Sequence, residues 1–462
     1  MSTNKVKFGS KIGLIAATVG SAVGLGNIWR FPGEVANGGG AAFLIVYVAC
    51  VFLLGVPVMV SEFALGRGGK GDAVGVFKNL SSGKKWWITG VLAIIASYMV
   101  LCFYMVVAGW TVEYLWQSIT GNLYAHDSEI SILADAEYKM HFARRMQQYI
   151  QDSCRPLIDT YIMVGINFVV LIAGVRKGIE RLANFLMPLL TVILVILCAV
   201  SLSLPEAGAG LRYFFNPDFS KLNAQVVIGA LGQAFFSLSL GMGILVTYAS
   251  YFPEKTKLTR TAVTVSVLDM LVAIIMGMII FPAVMSFHLD GEAVQGTTLV
   301  FVTLPEVFAH MPFTQLWAVL FFLLLFVAAL TSTISIAEVS VAFFQERLKM
   351  RRITACVMVL LPLFLFSTLC ALSFGSLDDV RVFGKSIFDF FDTFGTNILL
   401  PVVAMTSCIY IGWFAPDRFL KNQITNDGRI KVWAFRPILF IIRWVAPVLI
   451  FIILISPLIS SI

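Results

Sequence analysis

Two stretches of this chain place small and polar residues where unbroken apolar helix would be expected. The first reads Gly20-Ser21-Ala22-Val23-Gly24-Leu25-Gly26-Asn27-Ile28-Trp29-Arg30-Phe31-Pro32, and the second Gly232-Gln233-Ala234-Phe235-Phe236-Ser237-Leu238-Ser239-Leu240-Gly241-Met242-Gly243. Each glycine inside a helix costs about 1 kcal/mol relative to alanine, so these clusters need a reason. One reason is close packing of neighbouring helices through small residues. The other is an interrupted helix, which frees backbone N–H and C=O groups from their internal partners. In hydrocarbon such groups must line a protein-enclosed polar cavity. Freed N–H groups at a helix start suit a carboxylate, and freed carbonyls suit a hard cation such as sodium. Two stretches at matching places, each followed by polar side chains, favour the break. Enzymatic chemistry has no comparable support. There is no HExxH or CxxC, Gly24-x-Gly26 lacks the third glycine and following strand of a dinucleotide fingerprint, and His126, His141, His288 and His310 are scattered. The chain reads as no enzyme.

The elements that must position these residues follow from composition. Apolar residues make up 59% of the 462 and charged residues 13%, and the mean hydropathy is +0.89. A soluble domain has roughly 45–50% and 25%. The chain reads as an all-α polytopic membrane protein. Eleven runs are long enough to cross the roughly 30 Å hydrocarbon core: 10–31, 39–66, 86–117, 159–176, 182–204, 226–251, 260–287, 314–345, 353–374, 387–414 and 434–459. The two interrupted stretches fall in the first and sixth runs, the opening members of two five-span blocks. Blocks of odd length insert in opposite orientations, so the expected fold is a 5+5 inverted repeat with broken helices 1 and 6 plus one extra C-terminal helix. The corresponding divisions are 1–204, 205–414 and 415–462. The loop 118–158 is expected to carry a short helix.

The net charge of +7 does not point to nucleic acid, because the basic residues sit in short loops. Segments on the N-terminal side of the membrane hold twenty-three Lys and Arg, including Lys5, Lys7, Lys11, Lys84, Lys85 and Arg351, against eight on the other side. The positive-inside rule then puts the N-terminus in the cytoplasm and the C-terminus outside a cell inner (plasma) membrane. No cleaved signal is expected. Six cysteines lie in apolar runs and Cys154 in a polar loop, so no internal disulfide framework is implied.

The run Gly24 to Pro32 with Gly38-Gly39-Gly40, the run Phe235 to Gly241 with Thr247-Tyr248-Ala249-Ser250-Tyr251, and Leu330-Thr331-Ser332 resemble the signatures of the neurotransmitter:sodium symporters. The likeness runs in order along nearly the whole chain and is closest to bacterial eleven-span amino-acid transporters. It implies two sodium sites. The first would use the Ala22 carbonyl, Asn27, Ser237, the substrate carboxylate and, in span seven, Asp269, where the bacterial leucine transporter of that family has Asn. The second would use the carbonyls of Gly20, Val23 and Ala328 with the hydroxyls of Thr331 and Ser332. Taken alone, those two hydroxyls would bond back to their own helix. The substrate carboxylate would meet the N–H groups of Gly24, Leu25 and Gly26 and the Tyr104 hydroxyl. Its ammonium would meet carbonyls near Ala22 and Phe236 and the Ser239 region. Val100, Phe236, Ser239, Met242, Ser332 and Ile336 would line a side-chain pocket with no buried charge, which fits a neutral hydrophobic or aromatic amino acid.

The resemblance also implies gates. Arg30 would pair with Asp392, with Asp389 as the alternate, above a lid of Phe236 and Tyr104. On the other face Lys5 would pair with Glu346, with Phe8 in the place of a customary Trp; Lys5 reads equally as topogenic charge. Glu62, Glu113 and Glu338 are further buried-acid candidates. Chloride-dependent relatives set a Ser one turn after position 269, and Ala273 stands here, so Asp269 is expected to supply the fixed negative charge and chloride is not expected. Gly178 and Pro188 mark either unwinding of span five or a plain kink. The expected function is sodium-coupled import by alternating access. A receptor that binds an amino acid without moving it and a proton-coupled transporter are the alternatives. The expected partners are an amino acid and the bilayer.

Overall fold

A computed structural model describes residues 7–81, 83–124, 135–287, 296–416 and 418–459. Among the described residues the chain is helical and has no strand. That is the required solution in lipid, where a helix satisfies its own backbone and an open sheet edge cannot. Among the described residues, nine helices are long and apolar enough to span: Ala41–Gly69, Trp87–Thr120, Arg155–Ile172, Val175–Leu202, Leu258–Ser286, Thr314–Arg347, Arg352–Leu372, Ile387–Phe414 and Phe435–Ser456. These are spans 2–5 and 7–11 in chain order. Span 1 is the bent pair Lys11–Ala22 and Gly26–Asn37, which meet at 54°. Span 6 consists of Ala224–Ser237 and Ile244–Ser250, each half too short to cross alone. Four spans lie between the first and the sixth, so these two run in opposite directions.

Spans 3 and 8, each 34 residues, form the centre. The apolar window of span 8 is 78% buried, against 22% for span 11, which faces lipid. The rings of Tyr114 on span 3 and Phe322 on span 8 meet at 5.0 Å. Caps set the ends of the shorter pieces. Ser10 accepts from the Gly13 N–H at 2.8 Å to start span 1, and Asn223 accepts from the Val226 N–H at 3.0 Å to start span 6.

One expectation about span 5 changes and one open alternative narrows. The turn between spans 4 and 5 falls at Ala173–Gly174, not beyond Lys177, because Gly174 takes the left-handed φ of 83° and Val175 already opens the next helix. Gly178 and Pro188 both lie inside the continuous helix Val175–Leu202, so span 5 is wound at both positions. The loop helix is Asp135–Gln151. The segment before span 11 carries a short helix, Phe419–Thr425, pinned to span 2 by Arg67, whose Nε donates to Gln423 Oε1 at 2.8 Å.

Candidate functional site

The helical ladder of span 1 stops at Ala22, and Val23 turns to extended geometry with ψ 108°. The liberated groups meet partners from three other spans. The Leu25 N–H donates to the Tyr104 hydroxyl on span 3 at 3.1 Å. The Val23 carbonyl accepts from Ser332 on span 8 at 3.4 Å. The Ser21 carbonyl accepts from Ser239 at 2.8 Å, and the Gly26 carbonyl from Gln233 at 3.1 Å, both on span 6. Span 6 is interrupted over Leu238–Gly243. There the Gly241 N–H donates to Glu62 of span 2 at 2.8 Å, and the carboxylate's other oxygen is buried with no hydrogen-bond partner among the described residues.

Between the breaks lies a tight cavity of about 20 Å³. Ala22, Gly24, Gly26, Asn27, Val100, Tyr104, Phe236, Ser237, Ser239, Met242, Ser332 and Ile336 all line it, together with Ser21. Sequence reasoning missed Ser21; its position inside the small-residue stretch was the available signal. Leu25 is buried beside the cavity and contributes its N–H to Tyr104.

On one flank of the cavity, Asn27, Ser237 and Asp269 form a buried oxygen-rich cluster. The Asn27 amide donates to Asp269 Oδ1 at 2.8 Å and to the Asp269 carbonyl at 3.1 Å. The Ser237 hydroxyl donates to Asp269 Oδ2 and lies 3.4 Å from Asn27 Oδ1. Tyr47 stands 3.4 Å from the same hydroxyl. Asp269 and Ala273 are both fully buried. On the other flank Thr331 faces Gly20: a methyl built on Gly20 would lie 3.3 Å from the Thr331 Cβ. The Thr331 hydroxyl donates back to the carbonyls of Val327 at 3.0 Å and Ala328 at 3.1 Å, while Ser332 reaches across to span 1. The side-chain acceptors named on both flanks are oxygens, with no thiol or imidazole among them, which suits a hard cation.

Phe236 closes the cavity towards the face opposite the N-terminus. It lines both this cavity and a larger one of about 210 Å³ beyond it, bordered by Arg30, Thr396, Asn397 and Leu400. The Arg30 guanidinium lies 5.4 Å from the Phe236 ring centroid. Its direct ion partner is Glu34, at 3.6 Å, and its charge also acts on Asp392, which makes no direct ion pair with it. Glu34 lies one helical turn away on the same helix, whereas Asp392 is held by Thr396 at 3.3 Å. Asp389 accepts from Ser386 at 2.7 Å, away from Arg30.

The N-terminal face is sealed by Phe8. Its ring meets Tyr248 at 5.8 Å and Tyr251 at 6.3 Å, and its N–H donates to the Tyr251 carbonyl at 3.1 Å. Tyr251 donates to Glu338 at 3.0 Å, and Arg352 pairs with Glu338 at 2.5 Å. Glu346 accepts the Asp72 N–H at 2.7 Å. Lys5 lies outside the described residues. Glu113 binds Gln117 on its own helix at 2.5 Å, away from the cavity.

The profile of the sodium:neurotransmitter symporter family matches residues 5–132 and 125–461. This chain belongs to that family. A Bacillus subtilis relative described as an uncharacterised sodium-dependent transporter is 34% identical over 457 residues, covering 99% of this chain and 98% of its own. A Haemophilus influenzae protein of the same description is 33% identical, covering 99% of each. Among solved structures, that of MhsT in complex with L-phenylalanine superposes with a TM-score of 0.87 at 37% identity, covering 98% of this chain and 99% of the other. As a member of the sodium:neurotransmitter symporter family the chain is a multi-pass membrane protein of the LeuT-like fold and a sodium-dependent secondary transporter, not an enzyme.

Proposed function

We propose that this symporter carries a neutral hydrophobic or aromatic amino acid together with sodium by alternating access. The observation that carries the reading is the cavity between the two helix breaks, polar at one end and apolar at the other. At the polar end the substrate carboxylate is held by the N–H groups of Gly24, Leu25 and Gly26 with Tyr104. At the apolar end Val100, Phe236, Met242 and Ile336 receive the side chain, and no charged side chain lines the cavity. A glutamate or arginine side chain would lose its hydration there without a partner. A solved relative binds L-phenylalanine, which supports the same class.

Sodium is a co-substrate in this reading. The first ion is held by Asn27, Ser237, Asp269, the Ala22 carbonyl and the substrate carboxylate. The second is held by Thr331, Ser332 and the carbonyls of Gly20, Val23 and Ala328. An ion shared with the substrate makes each ligand raise the other's affinity, which couples the two fluxes. Asp269 supplies a fixed negative charge beside the first ion, so chloride is dispensable. Residues 1–204 and 205–414 form the two inverted repeats, with residues 415–462 as the tether and appended span. Phe8 with Lys5 and Glu346 closes the cytoplasmic side, and Phe236 beneath Arg30 and Asp392 closes the other.

The test is uptake into proteoliposomes. An inward sodium gradient should accumulate labelled phenylalanine, tryptophan or leucine, but not glutamate or arginine, and replacement of sodium by choline should abolish it. Binding without accumulation would make the protein a receptor, and accumulation driven by protons in choline would replace the coupling ion. Substituting gluconate for chloride should leave uptake unchanged. Asp269→Asn should raise the sodium concentration for half-maximal uptake by about tenfold or more, as expected when about 1.4 kcal/mol of attraction is lost.

A further inference from the structure

Span 11 carries a cation inside its apolar run. Arg443 lies about two turns beyond Phe435, where the span starts on the N-terminal face of the membrane. A helical side chain leans towards the N-terminus of its own helix, so Arg443 leans back to that face. Its guanidinium reaches Gly412, just short of Phe414, where span 10 ends on the same face. The remaining rise is about 3 Å. The charge therefore stands at the level of the lipid headgroups and not in mid-membrane.

The guanidinium is held in a fixed place. Arg443 Nε donates to the Gly412 carbonyl at 2.6 Å, and Trp413 Nε1 donates to the Arg443 carbonyl at 3.2 Å. These two bonds set the Trp413 ring against the cation, 5.1 Å from its centroid. Trp444 meets Trp413 edge-on at 4.5 Å, and both indoles are about half exposed. Gly412 permits the close approach, because a methyl there would lie 3.0 Å from the Arg443 Cα. The two spans meet in wide π-helical turns, Tyr410–Phe414 and Ile441–Val445.

A guanidinium has five N–H donors. One is taken by Gly412, and among the described residues the two terminal nitrogens make no hydrogen bond and no carboxylate pairs with Arg443. A cap on span 10 accounts for the Nε bond alone. Water could bond the remaining donors without neutralising the charge, whereas a phosphate does both. The phosphate oxygens of a phospholipid match the planar guanidinium fork, and its acyl chains suit the exposed indoles. More positive charge lies on the same face. Lys84 and Lys85 adjoin Trp86, which packs on Phe414 at 4.9 Å, and Arg436 is exposed in the first turn of span 11. This charge favours an anionic headgroup.

We propose that Arg443 is the centre of a binding site for an anionic phospholipid. The headgroup phosphate sits on its guanidinium, and an acyl chain runs along Trp444. The site is separate from the cavity between the helix breaks and does not depend on which solute or ion is carried.

The experiment titrates the full chain, purified in a neutral maltoside and stripped of lipid, with phosphatidylglycerol or phosphatidylcholine, and reads bound lipid by native mass spectrometry. The tightest phosphatidylglycerol should bind at least about tenfold more strongly than phosphatidylcholine. Arg443→Ala should bring the two within about twofold. Arg443→Lys should fall between, because the charge stays and the planar fork goes. Gly412→Ala displaces the cation without removing it. It should weaken phosphatidylglycerol binding in the same direction, and it serves if Arg443→Ala folds poorly. An excess of inorganic phosphate should leave the lipid bound; displacement would mean that the site takes the free anion, and the proposal would fall. A preference for phosphatidylglycerol unchanged in both alanine variants would overturn it and reduce Arg443 to a cap on span 10. Loss of a dimer in place of loss of lipid would overturn it too, since the indoles would then cover a second copy.

Discussion

The two helix breaks reach one cavity by different means. In span 1 the interruption is three residues, Val23–Leu25, and helix resumes at Gly26 after a 54° bend. In span 6 it runs from Leu238 to Gly243, with left-handed backbone at Ser239 (φ 54°), Gly241 (φ 78°) and Gly243 (φ 72°). The first break is constrained by its neighbours: a methyl on Gly24 would lie 2.8 Å from the Ser332 hydroxyl and 2.9 Å from that of Tyr104. The second is constrained by its own backbone, and a methyl on Gly241 would run into the Leu400 carbonyl. A short break thus needs glycine so that ligand groups can come close. A long one needs glycine so that the chain can turn at all. Damage to the first should appear in binding, and damage to the second in folding.

The sharpest way to break this contrast is Gly241→Ala. It adds left-handed strain to a collision with backbone that cannot swing aside, a cost on the order of 3 kcal/mol or more. The melting temperature of the purified protein should fall more than for any other substitution named here. Gly24→Ala should do the reverse. Its neighbours are side-chain ends that can shift, so melting should hold. Phenylalanine binding in sodium should weaken at least about 100-fold, since the methyl displaces groups that face the substrate carboxylate. If Gly24→Ala melted early and still bound, the distinction would collapse.

Smaller effects sharpen the picture. Glu62→Ala strips the acceptor from the Gly241 N–H and should cost about 1–3 kcal/mol in melting experiments. Glu62→Gln keeps an acceptor at that N–H and should cost less; equal losses would mean that the charge, not the hydrogen bond, holds span 6 open. Ser239→Ala should give the smallest change, about 0.5–1.5 kcal/mol, because it removes the single hydrogen bond from Ser239 to the Ser21 carbonyl that ties one break to the other.

The residues lining the cavity were legible because they cluster in two stretches whose glycine content is locally expensive. The partner of Arg30 was not. Asp392 and Glu34 are both acids in the sequence, and only the winding of the second half of span 1 brings Glu34 within 3.6 Å. The start of span 5 was misplaced for a related reason. Arg176 and Lys177 look like loop residues, yet they sit in the first helical turn, as long basic side chains at a helix end can. Glu62 stood out as an acid in an apolar run, but its partner is a backbone N–H 179 positions away, freed only because span 6 unwinds.

By itself the sequence determined that this chain crosses a membrane eleven times and that its first and sixth crossings are interrupted. Both follow from local costs: apolar surface that water rejects, and glycines that a helix resists. Only the tertiary structure decided which liberated groups face one another, which acid lies nearest Arg30, and that the Glu180 carboxylate of span 5 accepts from the Gly9 and Ser10 N–H groups at the start of span 1. Those outcomes depend on closing contacts across long stretches of chain, and no local propensity encodes the distance between two residues on different helices.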